Sequence, residues 1–330
     1  MLTPPDDLTD DALVRVLGDG WGLVVASIEY RAVGFGSHHW EVVGVDGARW
    51  FVTVDELDLK RQAVSESDDD AFDRLRAALA TARALLDSGA TFVVAPIPTR
   101  AGEPLVRTAR RFGVALYPNV DGQSYSWGDF STPQHRRGVL DLVVALHTSP
   151  ADASRHAMAD AFTVPYRDTL ELSAERNGAG WNGGPYASRT SALLVDNAAK
   201  LRRLLIRHDD LVAQARRPPS RMVLTHGEPH PGNTMLTPGG WVLVDWDTVL
   251  LAPPERDLWI LDPGDGSVIG AYADATGTMP RPSTLELYRI RWDLADIAAY
   301  VCRFQADHGG SPDDEKSWDA LCSLVERLPA

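Results

Sequence analysis

The spacing of hydrophobic and polar positions changes period along the chain. Between residues 27 and 57, SIEYRAVGFGSHHWEVVGV and ARWFVTVDEL alternate β-branched and aromatic residues with polar ones, and Asp46-Gly47 between them has the chemistry of a tight reversal. That pattern predicts a β-hairpin. From about Asp70 to Ser88 the apolar residues Phe72, Leu75, Leu79 and Leu86 recur at helical spacing, and Gly89 follows as a stop. TFVVAPIPT and RRFGVALYPNVDG then return to strand character. Strand, strand, helix, strand, strand is the order of a small α+β lobe.

Beyond Asp121-Gly122 the texture becomes helical. HRRGVLDLVVALHTSP sets Val139, Leu142, Val143 and Leu146 on one face, and DNAAKLRRLLIRHDDLVAQA and LELYRIRWDLADIAAYVCRF have similar periods. ELSAERNGAGWNGGPYAS, rich in Gly and Asn, reads as a loop between helices. A boundary near residues 118 to 122 is expected, giving lobes 1–118 and 119–330 with no long linker between them.

One β-hairpin stands alone in the helical half: NTMLT, then Pro238-Gly239-Gly240, then WVLVD. Asn233 and Asp245 each lie six positions from Gly239, so pairing across the turn is expected to set them side by side. An amide and a carboxylate suit Mg²⁺, which takes a few protein oxygens and completes its shell with water and phosphate. Upstream, His226-x-Glu228-x-x-x-x-Asn233 has the spacing of the protein-kinase catalytic loop, and Asp245 would take the metal role of the kinase Asp-Phe-Gly aspartate. A solvated surface hairpin explains any one of these residues. It does not explain their joint spacing.

Composition refines the picture. At 330 residues, with 44% hydrophobic and 24% charged, the chain suits a globular protein able to bury the core of two lobes. A formal charge of −14 argues against a nucleic acid or an anionic membrane surface as partner and favours a small cationic one. MLTPPDDLTDDALV has no basic stretch followed by an apolar one, and no apolar run approaches a membrane span, so a cytoplasmic location is expected. Cys302 and Cys322 lack metal spacing and read as reduced packing residues. Lys60, Lys200 and Lys316 are the only lysines, which leaves few candidates wherever a lysine is needed.

HGEPHPGN followed by VDWDTVLLAPPERDLW resembles the H-G-D-x-H-x-x-N and I-D-W-D signatures of the aminoglycoside phosphotransferase family. RWFVTVDELDLK, the ALH ending at His147 and WNGGPY resemble its actinobacterial, spectinomycin-type branch. The resemblance covers essentially the whole chain. It implies a bilobal, protein-kinase-like α+β fold, with a small N-terminal β-rich lobe and a larger, mainly helical C-terminal lobe. It also implies phosphorylation of a hydroxyl on a small cationic antibiotic or related natural product, using ATP (or GTP) and Mg²⁺, by a monomer or homodimer. Carried over by position, it makes Asn233 and Asp245 the Mg²⁺ ligands and puts Glu228 where the family has its catalytic Asp. Gly34, Gly36, Ser37 and His38 would form the phosphate-covering loop, with His39 a further donor, and the segment holding Tyr117 and Asn119 would meet the adenine.

Two departures bear on mechanism. Glu228 replaces Asp, moving the carboxylate outward by one methylene, and Thr53 in WFVTV stands where the family's strand lysine is expected. Either Lys60, Arg49 or Arg61 reaches back, or the loop histidines and Mg²⁺ carry the phosphate charge, or the nucleotide binds weakly; partial replacement by another cation is the expectation. For the acceptor, Asp293 and Asp296 lie three apart on one helical face and suit an ammonium group, with an Arg289–Asp293 surface pair as the alternative. Trp181 and Tyr186 form either a stacking wall or a packing plug. A peptide Ser/Thr kinase and a catalytically weak ligand-binding module are the competing functions.

Overall fold

The computed structural model describes residues 1–175, 181–217 and 221–329. Strands β1 (Val25–Tyr30), β2 (His38–Gly44), β3 (Arg49–Glu56), β4 (Val106–Thr108) and β5 (Phe112–Pro118) form an antiparallel sheet in the order β1-β2-β3-β5-β4. Alternation gives this sheet two unlike faces. Trp40, Val42, Val52, Val54, Val114 and Leu116 are buried on one, against Leu13 and Leu17 of helix α1 (Asp10–Trp21). The opposite face carries His39, Phe51, Thr53, Asp55, Ala115 and Tyr117.

Helix α1 is an element that apolar periodicity did not predict. Its interior contains Gly18 and Gly20, which weaken any helical signal, so the helix rests on its ends and on packing. The Thr9 side chain accepts from the Ala12 amide, and Gly22 closes the helix at φ 77°. Leu13 and Leu17 are fully buried, each contributing about 1.5–3 kcal/mol through loss of apolar surface to water. Helix α2 (Asp68–Asp87) matches the periodic stretch and begins with a Ser67/Asp70 capping box. Its Leu75 and Leu79 pack with Leu105 and Ala115.

TFVVAPIPT is not a strand, contrary to its composition. Pro96 and Pro98 have no N–H to donate to a ladder. The segment instead stitches two parts of the fold together. The amide of Val94 donates to the Leu243 carbonyl (3.1 Å), the Leu243 amide to the Phe92 carbonyl (2.8 Å), and the Ile97 amide to the Leu116 carbonyl of β5 (2.7 Å).

The isolated hairpin is present, as part of a three-stranded sheet: β6 (Gln123–Ser124) pairs with β8 (Thr234–Thr237), which pairs with β9 (Gly240–Leu243). Strand β7 (Val223–Thr225) precedes it and pairs with β10 (Leu250–Ala252) beyond it. Helix α3 (Pro133–His147), capped by Thr132, buries Val139, Val143 and Leu146 as its periodicity predicts.

The chain divides into two compact units that interleave along the sequence. The first comprises Met1–Lys60, Ser67–Asp160 and Arg221–Arg281; the second comprises Arg61–Glu66, Ala161–Ser220 and Pro282–Ala330. Residues 118 to 122, where the texture changes, therefore fall inside the first unit. In the second unit, helices Arg167–Glu175, Ala187–Asp196, Ala198–Ala215, Pro282–Gln305 and Pro312–Arg327 surround a core that includes Leu205, Leu294, Val301 and Phe304. The stretch read as a loop gives its first five residues to the helix ending at Glu175, and residues 176–180 of it lie outside the described residues. Cys302 and Cys322 are free. No described helix is long and apolar enough to cross a membrane.

Candidate active site

The loop from His226 to Asn233 is held by backbone capture from a buried acid. Asp257, fully buried in the helix Glu255–Leu261, accepts from the amides of His226 (2.9 Å) and Gly227 (2.6 Å) and from His147 Nε2 (3.0 Å). Burial opposes its charge, but the His147 hydrogen bond and the charges of His147 and Arg256 outweigh it and hold the carboxyl below its ordinary range. His147 Nδ1 in turn meets the Tyr272 hydroxyl at 3.0 Å. Arg256 crosses behind the loop, donating to Thr225 Oγ1 and the Thr248 carbonyl, both at 2.8 Å. Gly227 is required here: it sits at φ 98°, and a Cβ would lie 2.3 Å from the Arg256 guanidinium.

His226 fixes the other side of the loop. Its Nδ1 accepts from the Glu228 amide (3.3 Å), so Nε2–H donates to the Val244 carbonyl (3.0 Å). Burial pushes the ring below its ordinary pKa, consistent with a neutral tautomer. Asn233 closes the turn, donating Nδ2–H to the Glu228 carbonyl at 3.0 Å, and thereby presents Oδ1 as its remaining polar atom.

The hairpin register differs by one residue from the symmetric count. Thr237 pairs with Gly240 and Thr234 with Leu243, which centres the turn between Pro238 and Gly239. Asn233 is therefore opposite Val244, whose amide donates to its carbonyl at 3.0 Å. Asp245 lies one position past the pairing, in a left-handed conformation with φ 65°. A short polar side chain tolerates that backbone better than a β-branched one would.

Acids cluster around this bend. Asp245 keeps an edge open to solvent. Loss of hydration and the neighbouring charges of Asp247 and Glu228 push its carboxyl well above the ordinary range. Because of that open edge, the neighbouring charges are the firmer of these causes. Lys60 is the cation that answers them: its Nζ lies 2.7 Å from Asp247 Oδ2, 2.9 Å from Asp55 Oδ1 and 3.2 Å from Ser37 Oγ. Burial works against its charge, but Asp247, Asp55 and Asp245 together hold the ammonium well above its usual pKa. Among the described residues no three His, Cys, Asp or Glu side chains converge as a metal cage. An amide oxygen and a crowded carboxylate are nonetheless a fitting donor set for Mg²⁺, which asks for few protein ligands.

The loop between β1 and β2 brings part of its expected set to these acids. Gly34 and Gly36 have φ 70° and 90°, and Ser37 Oγ donates to Asp55 Oδ1 at 2.6 Å. His39 shares the sheet face of Thr53, to whose hydroxyl its Nδ1 is 3.3 Å distant, and stacks on Phe51. Burial, reinforced by the N-terminal amine and Lys60, lowers its pKa to about 3, so it is neutral. His38 faces the other way. Its ring is buried and engaged by the Thr3 carbonyl (3.0 Å), Tyr30 (3.2 Å) and Glu56 (2.9 Å), so it is used within the sheet's packed face. Tyr117 shares the face of Asp55, and burial, with Asp55 and Asp245, raises its hydroxyl pKa. Asn119 Nδ2 is 3.4 Å from Asp121. Arg49 pairs with Glu41, at the far end of β3 from Asp55.

Asp293, Asp296 and Trp181 belong to the second unit. Asp293 is half-buried, and burial raises its carboxyl against the opposing charges of Arg327 and Arg289. Trp181 packs on the core of that unit and lines a cavity of about 180 Å³ with Thr169, Leu172, Ser173 and Gln305.

Comparison with known proteins agrees with this architecture. The family described as "Phosphotransferase enzyme family" matches residues 28–288. The chain is 34% identical over 251 residues to Protein StrN of Streptomyces griseus, covering 72% of each chain. The fold is similar to that of the spectinomycin phosphotransferase APH(9)-Ia in complex with ADP and spectinomycin, with a TM-score of 0.71 at 18% identity, covering 97% of this chain and 98% of that one. It is also similar to the amicoumacin kinase hAmiN in complex with AMP-PNP, Ca²⁺ and Ami, with a TM-score of 0.60 at 11% identity, covering 97% and 93%.

Proposed function

The chain belongs to the phosphotransferase enzyme family, and from that premise we propose that it transfers the γ-phosphoryl group of ATP (or GTP) to a hydroxyl of a small cationic molecule of aminoglycoside or aminocyclitol type, in the nucleotide-rich cytoplasm. The observation that carries this reading is the Lys60 bridge between Asp247 and Asp55, beside Asp245. It supplies a positive charge at the metal loop although Thr53 occupies the expected lysine position. Nucleotide binding is assigned to residues 1–118 and acceptor binding to residues 119–330.

The chemistry follows from the loop. Glu228 accepts the proton of the acceptor hydroxyl as its oxygen forms a bond to the γ-phosphorus and the bond to the leaving nucleotide oxygen breaks. Asn233 Oδ1 and Asp245 would hold Mg²⁺, which when bound neutralises phosphate oxygens. His226 and Asp257 hold the loop so that these groups need no rearrangement. Lys60 exchanges part of its pairing to carboxylates for phosphate, and neutral His39 and Ser37 supply donors. The ADP of the spectinomycin phosphotransferase and the AMP-PNP and Ca²⁺ of the amicoumacin kinase support a nucleotide and a divalent cation here.

The test is ATP consumption against a panel of aminocyclitols, aminoglycosides and cyclic peptides, with mass spectrometry for an added phosphate. Phosphate on an amine-bearing cyclitol or sugar is the expected result; phosphate on a peptide alone would replace the acceptor class.

Lys60 gives a separate prediction. Lys60→Ala is expected to weaken Mg²⁺-ATP binding by roughly tenfold or more, the scale of one charge-assisted hydrogen bond to phosphate. Lys60→Arg, which keeps the charge, should lose less. Titrating ATP with and without Mg²⁺ decides the matter, and equal affinities for wild type and Lys60→Ala in both conditions would remove Lys60 from the nucleotide site.

A further inference from the structure

The segment from Gln123 to Ser131 carries three large aromatic residues, and the fold uses two of them internally. Tyr125 lies against His135 and Trp241, with ring centroids at 4.2 and 5.5 Å. Phe130 packs edge-on to His135 at 5.0 Å and lies under the Arg136 guanidinium. Trp127 lies between them, and it is 66% exposed. An indole left in water on a fixed support is an apolar surface that the fold itself has not covered.

The support is fixed. Gln123 and Ser124 are paired with Leu236 and Met235 of the metal hairpin, and Thr132 caps α3 immediately beyond. The Trp127 backbone rests against the catalytic loop: a Cβ on Gly232 would lie 3.2 Å from the Trp127 amide nitrogen. The indole meets the ring of His230 edge-on, with centroids 6.4 Å apart, and His230 Nε2 is 3.7 Å from Glu228 Oε2. Two successive contacts thus connect an exposed aromatic face to the carboxylate that receives the acceptor's proton. Asp129, two residues on, is also exposed.

We infer that Trp127 and Asp129 form the platform that receives the acceptor, the indole stacking on a ring that carries an ammonium group and the carboxylate pairing with that ammonium. The inference rests on the phosphotransferase reading and names the residues that would select its amine-bearing acceptor. The indole face attracts cations and the polarised C–H face of a sugar or cyclitol. The acid adds selection for charge. Specificity then comes from a segment held at both ends and resting on the catalytic loop, so the acceptor ring and its hydroxyl are positioned from the same support.

The experiment is calorimetric titration of the full-length protein, loaded with Mg²⁺ and AMP-PNP, with spectinomycin, kanamycin, choline and the uncharged cyclitol myo-inositol. Trp127→Ala is expected to weaken binding of at least one amine by roughly tenfold, the scale of an aromatic–cation contact, and Trp127→Phe to keep most of it. Asp129→Asn should weaken the amines and leave inositol unchanged. Equal binding of every amine by wild type and Trp127→Ala overturns the inference. So does a loss of AMP-PNP affinity in Trp127→Ala that accounts for the whole effect, since the indole would then serve the nucleotide. If wild type hydrolyses ATP but binds none of the amines, the platform falls and the phosphotransferase reading stands. If amine binding depends on Trp127 while Mg²⁺-ATP is never turned over, the platform stands and that reading falls.

Discussion

Replacing Asp245 by Asn is expected to reduce Mg²⁺-dependent turnover by on the order of a thousandfold or more, the upper range for losing one group that stabilises charge in a transition state. The same change should raise the melting temperature of the nucleotide-free protein. Asn is the informative substitution because Asp245 occupies a left-handed backbone conformation at φ 65°. Asn adopts that region readily, whereas Ala would add backbone strain to the loss of the carboxylate. The stability gain follows from charge. Asp247, Glu228 and Asp55 all repel Asp245, and the cation that attracts it, Lys60, is already engaged by Asp247 and Asp55. An uncharged amide removes the repulsion and leaves the Lys60 pairs in place. Thermal melts and single-turnover assays on the two proteins, with and without Mg²⁺-ATP, check both halves. Unchanged turnover would take the hairpin out of the active site, and a lowered melting temperature would mean that Asp245 supports the fold.

The parts of this site that were legible in the sequence are those encoded locally. The interval from Glu228 to Asn233, the Pro-Gly turn and the apolar WVLV strand all lie within one short stretch, and the structure forms them as a loop leading directly into a hairpin. A count centred on Gly239 differs by one residue from the register. The two-residue turn at Pro238-Gly239 shifts the partner of Asn233 to Val244, and Asp245, one position past the pairing, has a positive φ. Long-range pairings left no such trace. Lys60 was one of several candidate cations, and its contact with Asp247 spans 187 positions. Nothing in the spacing of Asp55 marks it as the second partner. The histidine pair shows how strand parity decides use: His38 and His39 are adjacent in sequence, yet they project from opposite faces of β2, one into the packed face with Trp40 and the other beside Thr53. Helix α1 leaves a weak periodic signal because two glycines dilute its pattern, and its stability comes from the burial of Leu13 and Leu17.

Glu228→Gln is expected to lower turnover by roughly a hundredfold to ten-thousandfold, the range of a general base, with nucleotide affinity nearly unchanged. The amide keeps the shape of the side chain and most of its hydrogen bonding but cannot take the proton of the acceptor hydroxyl. Glu228→Asp is the sharper comparison, because it restores the residue that the family signature has at this position. Its outcome depends on whether the backbone can advance to make up for the lost methylene, about 1.5 Å of bond length. The loop argues that it cannot. The Glu228 amide is tied to His226 Nδ1, its carbonyl accepts from Asn233 Nδ2, and Pro229 restricts the next step of the chain. His226 and Gly227 are themselves anchored on Asp257, so the backbone at residue 228 is fixed for the longer side chain. Asp should therefore be slower than Glu, falling short of the hydroxyl, yet faster than Gln, because a carboxylate acting through one water still accepts the proton. A displacement near 1 Å at a reacting group has an effect on the order of a hundredfold, which sets the expected gap between Glu and Asp. Steady-state rates for the three proteins with a phosphorylated acceptor give the order directly. Turnover by Glu228→Gln at the wild-type rate would refute the general-base role, and an Asp variant faster than wild type would show that the loop is fitted to the shorter acid.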